Sequence, residues 1–223
     1  MASGNGSTAE TFIRACITGN VDGEVILIIC NNADAGIIGR IADLNEEFNL
    51  HIEAKVINGT THPLIHDEVV EKGCQTKTEE AAILATLRAG NFDLIVLMGY
   101  MKRVGPTIVH EFGWRPEYTS PYQAKLLNTH PGLLPDSIGY FGVHVQEYVL
   151  EKGYSESGQT LHVVSENYDE GPTVSENRVT VLHDDTPESL FRRVQAAEKQ
   201  NLPSDIDAFM KSRWQYMSGI VKA

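Results

Sequence analysis

Apolar runs and amphipathic segments alternate along most of this chain. Near-continuous apolar runs at Glu24–Cys30 and Asp93–Met98 are typical of strands that are buried on both faces. Elsewhere apolar residues recur at helical spacing, as they do over Ile37–Phe48. Strands that alternate with helices form a mostly parallel sheet covered by helices on both sides. The pattern therefore predicts an α/β fold with a Rossmann-like, mostly parallel sheet.

The remaining segments extend this α/β pattern. Two strand-like segments late in the chain are joined by a short Gly/Pro loop, which predicts an antiparallel addition to the sheet. No repeat, low-complexity tract or linker interrupts the pattern, so we expect one domain over residues 1–223, with a loop-like insertion at Gly113–Gln123. The further predicted strands are His51–Ile57, Lys125–Asn128, Gln159–Val164 and Thr173–Leu182, and the further helices are Ala9–Ile17, Thr78–Arg88, Pro106–Phe112, Val143–Glu151, Pro187–Lys199 and Asp205–Met217.

Composition narrows the class of protein. A net charge of −12 opposes binding to nucleic acid or to an anionic membrane, because both need a positive surface. Cys16, Cys30 and Cys74 are far apart and odd in number, which favours a reducing cytosol over a disulfide framework. No apolar run has the length of a membrane span or of a signal-peptide core. We expect a cytoplasmic protein, a monomer or a homodimer, without nucleic-acid or membrane partners.

The strand at Lys125–Asn128 runs into a polar pair, Asn128 and His130, before a proline-punctuated loop. Side chains two apart in a strand point to the same face, so these two converge. An amide and an imidazole aimed at one point can stabilise an oxyanion and move a proton. A satisfied pair at a strand edge explains the same pattern, and the pair alone does not decide between the two.

Three other groups of residues carry candidate chemistry. The glycine-containing segment Ser3–Thr8 precedes a helix and can hold a phosphate on its backbone N–H groups. A flexible chain terminus has the same composition. Thr160 and His162 share one strand face, and Asp169 in the following loop can orient a histidine or form an ordinary Asx turn. Gln195 and Glu198 lie on one helix face, where they can hold sugar hydroxyls or simply face water.

Together these motifs resemble the phosphoribosylglycinamide formyltransferase family, a folate-dependent branch of the formyltransferase superfamily. Order and approximate spacing agree over almost the whole chain. The motifs are Ser3–Ser7 (SGNGS), Met98–Lys102 (MGYMK), Asn128–Pro135 (NTHPGLLP), Gly158–His162 (GQTLH), Asp169–Pro172 (DEGP) and Arg193–Glu198 (RVQAAE).

The resemblance implies transfer of a formyl group from 10-formyltetrahydrofolate to the amine of glycinamide ribonucleotide, in purine biosynthesis. It places phosphate binding in residues 1–110 and catalysis and folate binding in residues 125–223, and it needs no metal. The implied catalytic residues are Asn128, His130, Asp169 and Thr160, the last to position a water or Asp169. Substrate binding is implied for Gly4, Asn5, Gly6, Ser7, Gly99, Pro131, Gln195 and Glu198. Folate binding is implied for Met101, Lys102, Arg103, Val104, Val164 and Asp169.

One departure from the family concerns the start of the sheet. The family begins with an apolar strand that leads into the phosphate loop, whereas only Met1 and Ala2 precede Ser3. We therefore expect the first strand to be missing, which would leave backbone groups of two neighbouring strands unpaired. Two alternative functions stay open. One is another formyltransferase, or a formyl-folate hydrolase, of the same fold, and the other is a non-catalytic folate- or nucleotide-binding homologue.

Overall fold

The strands form two short sheets, which the computed structural model describes together with the rest of residues 1–219. In the first sheet β1 (Leu27–Cys30) pairs in parallel with β2 (Glu53–Val56). The second sheet has the order β3-β4-β5-β6, and its first pair is parallel while its other two are antiparallel. Its strands are β3 (Ile95–Leu97), β4 (Leu126–His130), β5 (Glu156–Val163) and β6 (Thr173–Thr180). The α/β class, the parallel pairs and the antiparallel addition are confirmed. The predicted single, mostly parallel sheet is instead two sheets, whose named strands within residues 1–219 form two parallel and two antiparallel pairs.

The first residues of the chain join the two sheets. The Met1 amine donates to Val96 O at 2.6 Å, and Met98 N donates to Met1 O at 2.9 Å. On the other side Ala2 N donates to Ile29 O at 3.0 Å. We call Met1–Ser3 the N-terminal seam. The expected loss of the first strand is therefore corrected in part, because the seam pairs with β1 and β3 where the strand would end.

Upstream of the N-terminal seam the same two strands border an apolar cavity of about 300 Å³. In the parallel ladder the backbone groups of alternate residues face opposite sides of a strand. Leu27 therefore turns its backbone away from β2 and towards the cavity, as Leu94 does from the other side. Side chains of Ile13 and Met210 close the space. The cavity thus lies between the facing edges of the two sheets.

Six α-helices and one 3₁₀ turn cover the sheets within residues 1–219. The capping box of Thr76 and Glu79 fixes the start of the third helix. No helix in this part of the chain combines the length and apolar character that crossing a membrane requires. The helices are α1 (Ser7–Ile17), α2 (Gly36–Phe48), α3 (Lys77–Gly90), α4 (Pro106–Phe112), α5 (His144–Lys152) and α6 (Pro187–Met217), and the 3₁₀ turn is Pro121–Gln123.

The last helix differs from the prediction. The sequence predicted two closing helices with a break near Pro203, but α6 is continuous with Pro203 inside it. Proline removes one backbone hydrogen bond, which disfavours a helix interior. Burial of one apolar stripe along the whole helix outweighs that loss. The buried residues of the stripe are Leu190, Val194, Leu202, Ile206 and Phe209.

Candidate active site

Strand register brings the predicted catalytic residues together. In the antiparallel pairing of β4 with β5, Asn128 lies opposite His162 and His130 lies opposite Thr160. Asp169, from the loop between β5 and β6, reaches both imidazoles. Its Oδ2 lies 3.4 Å from His130 Nδ1, and its Oδ1 lies 3.5 Å from His162 Nε2. All three side chains are at least nine-tenths buried, so this carboxylate bridges two histidines away from bulk water.

The loop that carries Asp169 depends on two unusual backbone positions. Asp169 itself has a φ of 58°, in the left-handed region that Asp tolerates better than most residues. At Gly171 a Cβ would lie 1.7 Å from Val163 O, so only glycine allows this approach of the loop to β5. Pro172 O then accepts a hydrogen bond from Val163 N at 2.9 Å. The Asp-x-Gly-Pro motif thus aims the carboxylate inward.

His162 belongs to the GQTLH motif, for which the resemblance implied no role of this residue. In the structure it lies in one cluster with Asn128, His130 and Asp169. Its Nδ1 lies 3.1 Å from Val163 O, which can only accept, so Nδ1 carries the hydrogen. In the neutral ring Nε2 is then an acceptor, and Asn128 Nδ2 donates to it at 3.0 Å. This bond fixes the amide orientation of Asn128 and leaves its second N–H available. No sequence pattern reveals this bond, because it depends on the register of β4 with β5.

Ser137 is a second residue of the cluster that no sequence motif indicates. Its hydroxyl donates to Leu133 O at 2.9 Å and lies 2.9 Å from His130 Nε2. Because the hydroxyl has one hydrogen, its oxygen accepts from His130 Nε2–H. Burial lowers the pKa of His130, while the charge of Asp169 and the contact with Ser137 oppose that shift. Apart from the His130 contact, Asp169 Oδ2 has no hydrogen-bond partner among the described residues.

Thr160 takes a different place from the one the resemblance implied. Its hydroxyl donates to Gly132 O at 2.7 Å and accepts from Leu134 N at 3.2 Å, and the residue is fully buried. The hydroxyl is therefore committed to the loop after β4, and none of its described hydrogen bonds reaches Asp169. The structure supports Thr160 as a residue that shapes this loop, in place of one that positions water or Asp169.

The glycine-rich start forms a turn at Gly4–Ser7, which we call the anion-binding turn after the role predicted for it. Gly6 has a φ of 75° and caps α1, and a Cβ there would lie 2.5 Å from the Ile37 side chain. Gly4 and Asn5 are exposed, while Ser7 begins the helix. The first N–H groups of a helix lack intrahelical partners and favour an anion. Phosphate binding at Gly4–Ser7 stays a prediction, and the unpaired N–H groups at the start of α1 agree with it.

Arg40 adds a positive charge beside this turn. Its Nε donates to Asn5 O at 2.8 Å, and its Nη2 donates to Asn5 Oδ1 at 2.8 Å. It also pairs with Glu10. No sequence motif contains Arg40, which comes from α2. Its guanidinium orients Asn5, and Glu10 balances its charge.

Glu198 connects the residue after the anion-binding turn with β4. Its Oε2 accepts from Thr8 Oγ1 at 3.0 Å, and its Oε1 accepts from Thr129 Oγ1 at 2.6 Å. Thr129 lies between Asn128 and His130 in β4. Burial raises the pKa of Glu198, and the two hydroxyl donors oppose that shift. Gln195 lies on the same helix one turn earlier and is half-buried, with its amide in no described hydrogen bond.

A second cavity of about 300 Å³ borders the cluster of Asn128, His162 and Asp169, and we call it the site cavity. Asn128, His162 and Asp169 line its inner end, whereas Tyr168 and Gln75 lie along its walls. Of the predicted folate residues, Lys102, Arg103, Val104, Val164 and Asp169 line it. Met101 is not among the lining residues and is more than half exposed. Gly99 and Pro131 lie outside the lining as well.

Charges along the site cavity are partly paired within the protein. Lys102 Nζ lies 2.6 and 2.7 Å from the two carboxylate oxygens of the fully buried Glu79. Arg103 is exposed and donates one N–H to Glu166 O at 2.9 Å, which leaves other donors of its guanidinium for a ligand. Burial raises the pKa of Tyr100 to about 12. The wall of the site cavity therefore carries both paired and unpaired charges, and Arg103 is the cation that a ligand can reach.

Gly99 and Pro131 support the site from nearby. Gly99 has a φ of 69°, and its carbonyl accepts from Ser3 N at 3.2 Å, which links the segment after β3 to the N-terminal seam. Pro131 O accepts from Gln146 Nε2 at 2.7 Å, so α5 holds the loop that follows His130. Both residues lie next to predicted site residues in the chain, but neither faces the site cavity.

Comparison with known proteins defines the class to which this fold and site belong. The model of the formyl transferase family matches residues 1–206, and the chain belongs to that family. Its curated relatives include phosphoribosylglycinamide formyltransferase of Escherichia coli (strain K12), which is 30% identical over 213 residues, covering 96% of this chain and 86% of the relative. A chloroplastic protein of the same name from Arabidopsis thaliana is 28% identical, and the match covers 95% of this chain but 64% of that longer relative.

Solved structures agree with the sequence comparison. Glycinamide ribonucleotide transformylase 1 from Symbiobacterium toebii has a TM-score of 0.76 at 29% identity, covering 95% of this chain and 85% of that one. Phosphoribosylglycinamide formyltransferase from Bacillus halodurans has a TM-score of 0.73 at 28% identity, covering 94% and 91%. The resemblance stated from the motifs is therefore confirmed at the level of the family.

Proposed function

We propose that this protein transfers the formyl group of 10-formyltetrahydrofolate to the amine of glycinamide ribonucleotide. The observation that carries the proposal is the meeting of Asn128, His130 and Asp169 at and behind the inner end of the site cavity. The anion-binding turn lies close to them, since Glu198 contacts both Thr8 and Thr129. The relatives named above carry this activity in their names.

The two substrates fit different parts of this arrangement. The site cavity, with its apolar walls and the Arg103 cation, suits a folate, whose tail carries carboxylates. Gly4–Ser7 suits the phosphate of the ribonucleotide, and Glu198 suits its ribose, because a carboxylate accepts hydrogen bonds from hydroxyls. The site cavity and the residues proposed for the ribonucleotide both border β4. Positioning of the two reactants in this way is itself a large part of the rate enhancement.

The chemistry forms one bond and breaks another. The amine nitrogen bonds to the formyl carbon, the bond from that carbon to N10 of the folate breaks, and the amine proton ends on N10. The free N–H of Asn128 and the positive charge of His130 stabilise the oxygen that becomes negative. Asp169 balances the charge of His130 and takes part in the proton relay.

The N-terminal seam bears on the non-catalytic alternative. That alternative depended on a missing strand that leaves the phosphate loop without support. Because Met1 and Ala2 pair with β1 and β3, Ser3 is held immediately before the loop. The structural basis for a merely binding homologue is therefore weaker than the sequence indicated.

A spectrophotometric assay tests the proposal. Consumption of 10-formyltetrahydrofolate should require glycinamide ribonucleotide, and His130→Ala and Asp169→Asn should each lower kcat by about 10²- to 10⁴-fold, because each removes a proton-transfer partner. Consumption without the ribonucleotide would instead indicate a hydrolase. Absence of turnover by folded protein, with unchanged folate binding in both variants, would contradict the proposal.

A further inference from the structure

A line of buried side-chain hydrogen bonds leads to Glu198 from the opposite edge of the second sheet. Asn177 in β6 donates to Gln159 Oε1 at 2.8 Å, and Gln159 Nε2 donates to Thr129 Oγ1 at 2.9 Å. Thr129 then donates to Glu198 Oε1 at 2.6 Å. Gln159 is fully buried and Thr129 nearly so. The line crosses the face of the sheet opposite to Asn128 and His130, because side chains alternate along β4.

The direction of every bond in this line follows from the groups at its start. Asn177 Nδ2 also donates to Asp205 Oδ2 at 2.8 Å, and a carboxylate only accepts, so this atom is the amide nitrogen. Gln159 must therefore present its oxygen to Asn177 and its nitrogen to Thr129. The Thr129 oxygen accepts that bond, which leaves its single hydrogen for Glu198. No member of the line can reverse without breaking a bond.

This order determines how Glu198 is held. Thr8 donates to one carboxylate oxygen and Thr129 to the other, so both oxygens are fixed. Each oxygen keeps lone-pair capacity for another donor. A buried polar network whose members are all satisfied holds its groups in one arrangement. The carboxylate is thus preorganised to receive two hydroxyl donors.

We propose that Gln159 is a positioning residue that acts through Thr129 on the carboxylate of Glu198. The inference rests on the proposed function, in which Glu198 holds the ribose of the substrate. Gln159 does not touch that substrate. Its role is to keep the Thr129 hydroxyl turned towards Glu198, which lowers the reorganisation needed when the ribonucleotide binds.

Calorimetric and kinetic measurements on Gln159→Leu test this inference. We expect the Kd and the KM for glycinamide ribonucleotide to rise about tenfold, with kcat and the KM for 10-formyltetrahydrofolate within about twofold of the parent. Asn177→Leu, at the half-buried outer end, should shift the same constants in the same direction by less. It also serves as the test variant if Gln159→Leu does not fold.

A matched control and a double variant separate positioning from a general packing effect. Asn45→Leu removes another amide that makes two hydrogen bonds at 2.9 Å, to Ile52 beside the first sheet, and should leave all four constants unchanged. In a Glu198→Gln background, Gln159→Leu should have little further effect on ribonucleotide affinity. Full additivity there, or an unchanged Kd in Gln159→Leu, would overturn the inference. Failure of parent turnover would count against the proposed function, because the calorimetric Kd tests the inference separately.

Discussion

At the scale of single residues, the two histidines of the cluster are held in different ways. His162 is fixed as an acceptor by its bond to Val163 O, so it orients Asn128. His130 donates from Nε2 to Ser137, so its Nδ1 faces Asp169 across 3.4 Å. In the neutral ring Nδ1 carries no hydrogen, so protonation of His130 places the added proton against the Asp169 carboxylate. Ser137 thereby favours the protonated form of His130, which the proposed formyl transfer uses.

Removal of the Ser137 hydroxyl should change the pH dependence of the reaction. Ser137→Ala deletes a hydrogen bond to the protonated ring, which lowers the pKa of His130 further. The alkaline limb of kcat/KM, where His130 loses its proton, should move to lower pH by about half a unit to one unit. A pH–rate profile measures this shift, and Ser137→Thr should restore the parent profile. An unchanged limb in Ser137→Ala would contradict the assignment.

Part of the site could be predicted from sequence for a clear reason. The pair Asn128 and His130 follows from strand alternation, and Asp169 from its motif. His162 and Ser137 act through bonds set by strand register and by the path of a loop, which local patterns do not encode. The role implied for Thr160 was misplaced for the same reason, since its hydroxyl meets the loop after β4.

At the scale of elements, the backbone geometry of the loop between β5 and β6 brings Asp169 to both histidines. Asp169 reaches both histidines only because Gly171 lets the chain pass close to Val163 O. Loops are predicted from sequence by their turn residues, but the closeness of that approach is visible only in three dimensions. The strand and helix positions themselves were predicted to within a few residues, except at Pro203, where tertiary burial overrides a helix breaker.

Substitution of Gly171 tests whether the path of this loop positions Asp169. In Gly171→Ala the new Cβ would lie 1.7 Å from a backbone oxygen, so the loop must shift and carry Asp169 with it. We expect kcat to fall by about 10²-fold, since a displacement of about 1 Å costs that much, and stability to fall by about 1–3 kcal/mol. Gly39→Ala is the matched control, because nothing lies within 4 Å of its Cβ. Parent-like kcat in Gly171→Ala would refute this account of the loop.

At the scale of the whole molecule, the N-terminal seam joins the first sheet to the second sheet, which carries Asn128 and His130. Its amine is buried, and burial lowers the pKa of the Met1 amine to about 5 from an ordinary value of 8.0. A protein that begins at Met1 thus folds with this group neutral over much of the physiological pH range. Between those two values the unfolded chain binds the extra proton, so stability rises with pH.

The free energy of unfolding of a protein that begins at Met1 should therefore depend on pH. From pH 5 to pH 8 the amine contributes up to about 4 kcal/mol to the rise in the free energy of unfolding. Urea unfolding across this range measures it. Acetylation of the amine removes the charge, so the difference between free and acetylated protein should change with pH by this amount. A difference that stays constant over the range would show that the amine is solvated in the folded state.

The N-terminal seam would also link binding at the proposed phosphate site to the contact between the two sheets. Ser3 pairs with Gly99 beside the second sheet, and the next residue, Gly4, begins the anion-binding turn. A phosphate bound at this turn would restrain the same few residues that join the two sheets. By mass action, the ribonucleotide would then stabilise the contact between the sheets as well as occupy its own site.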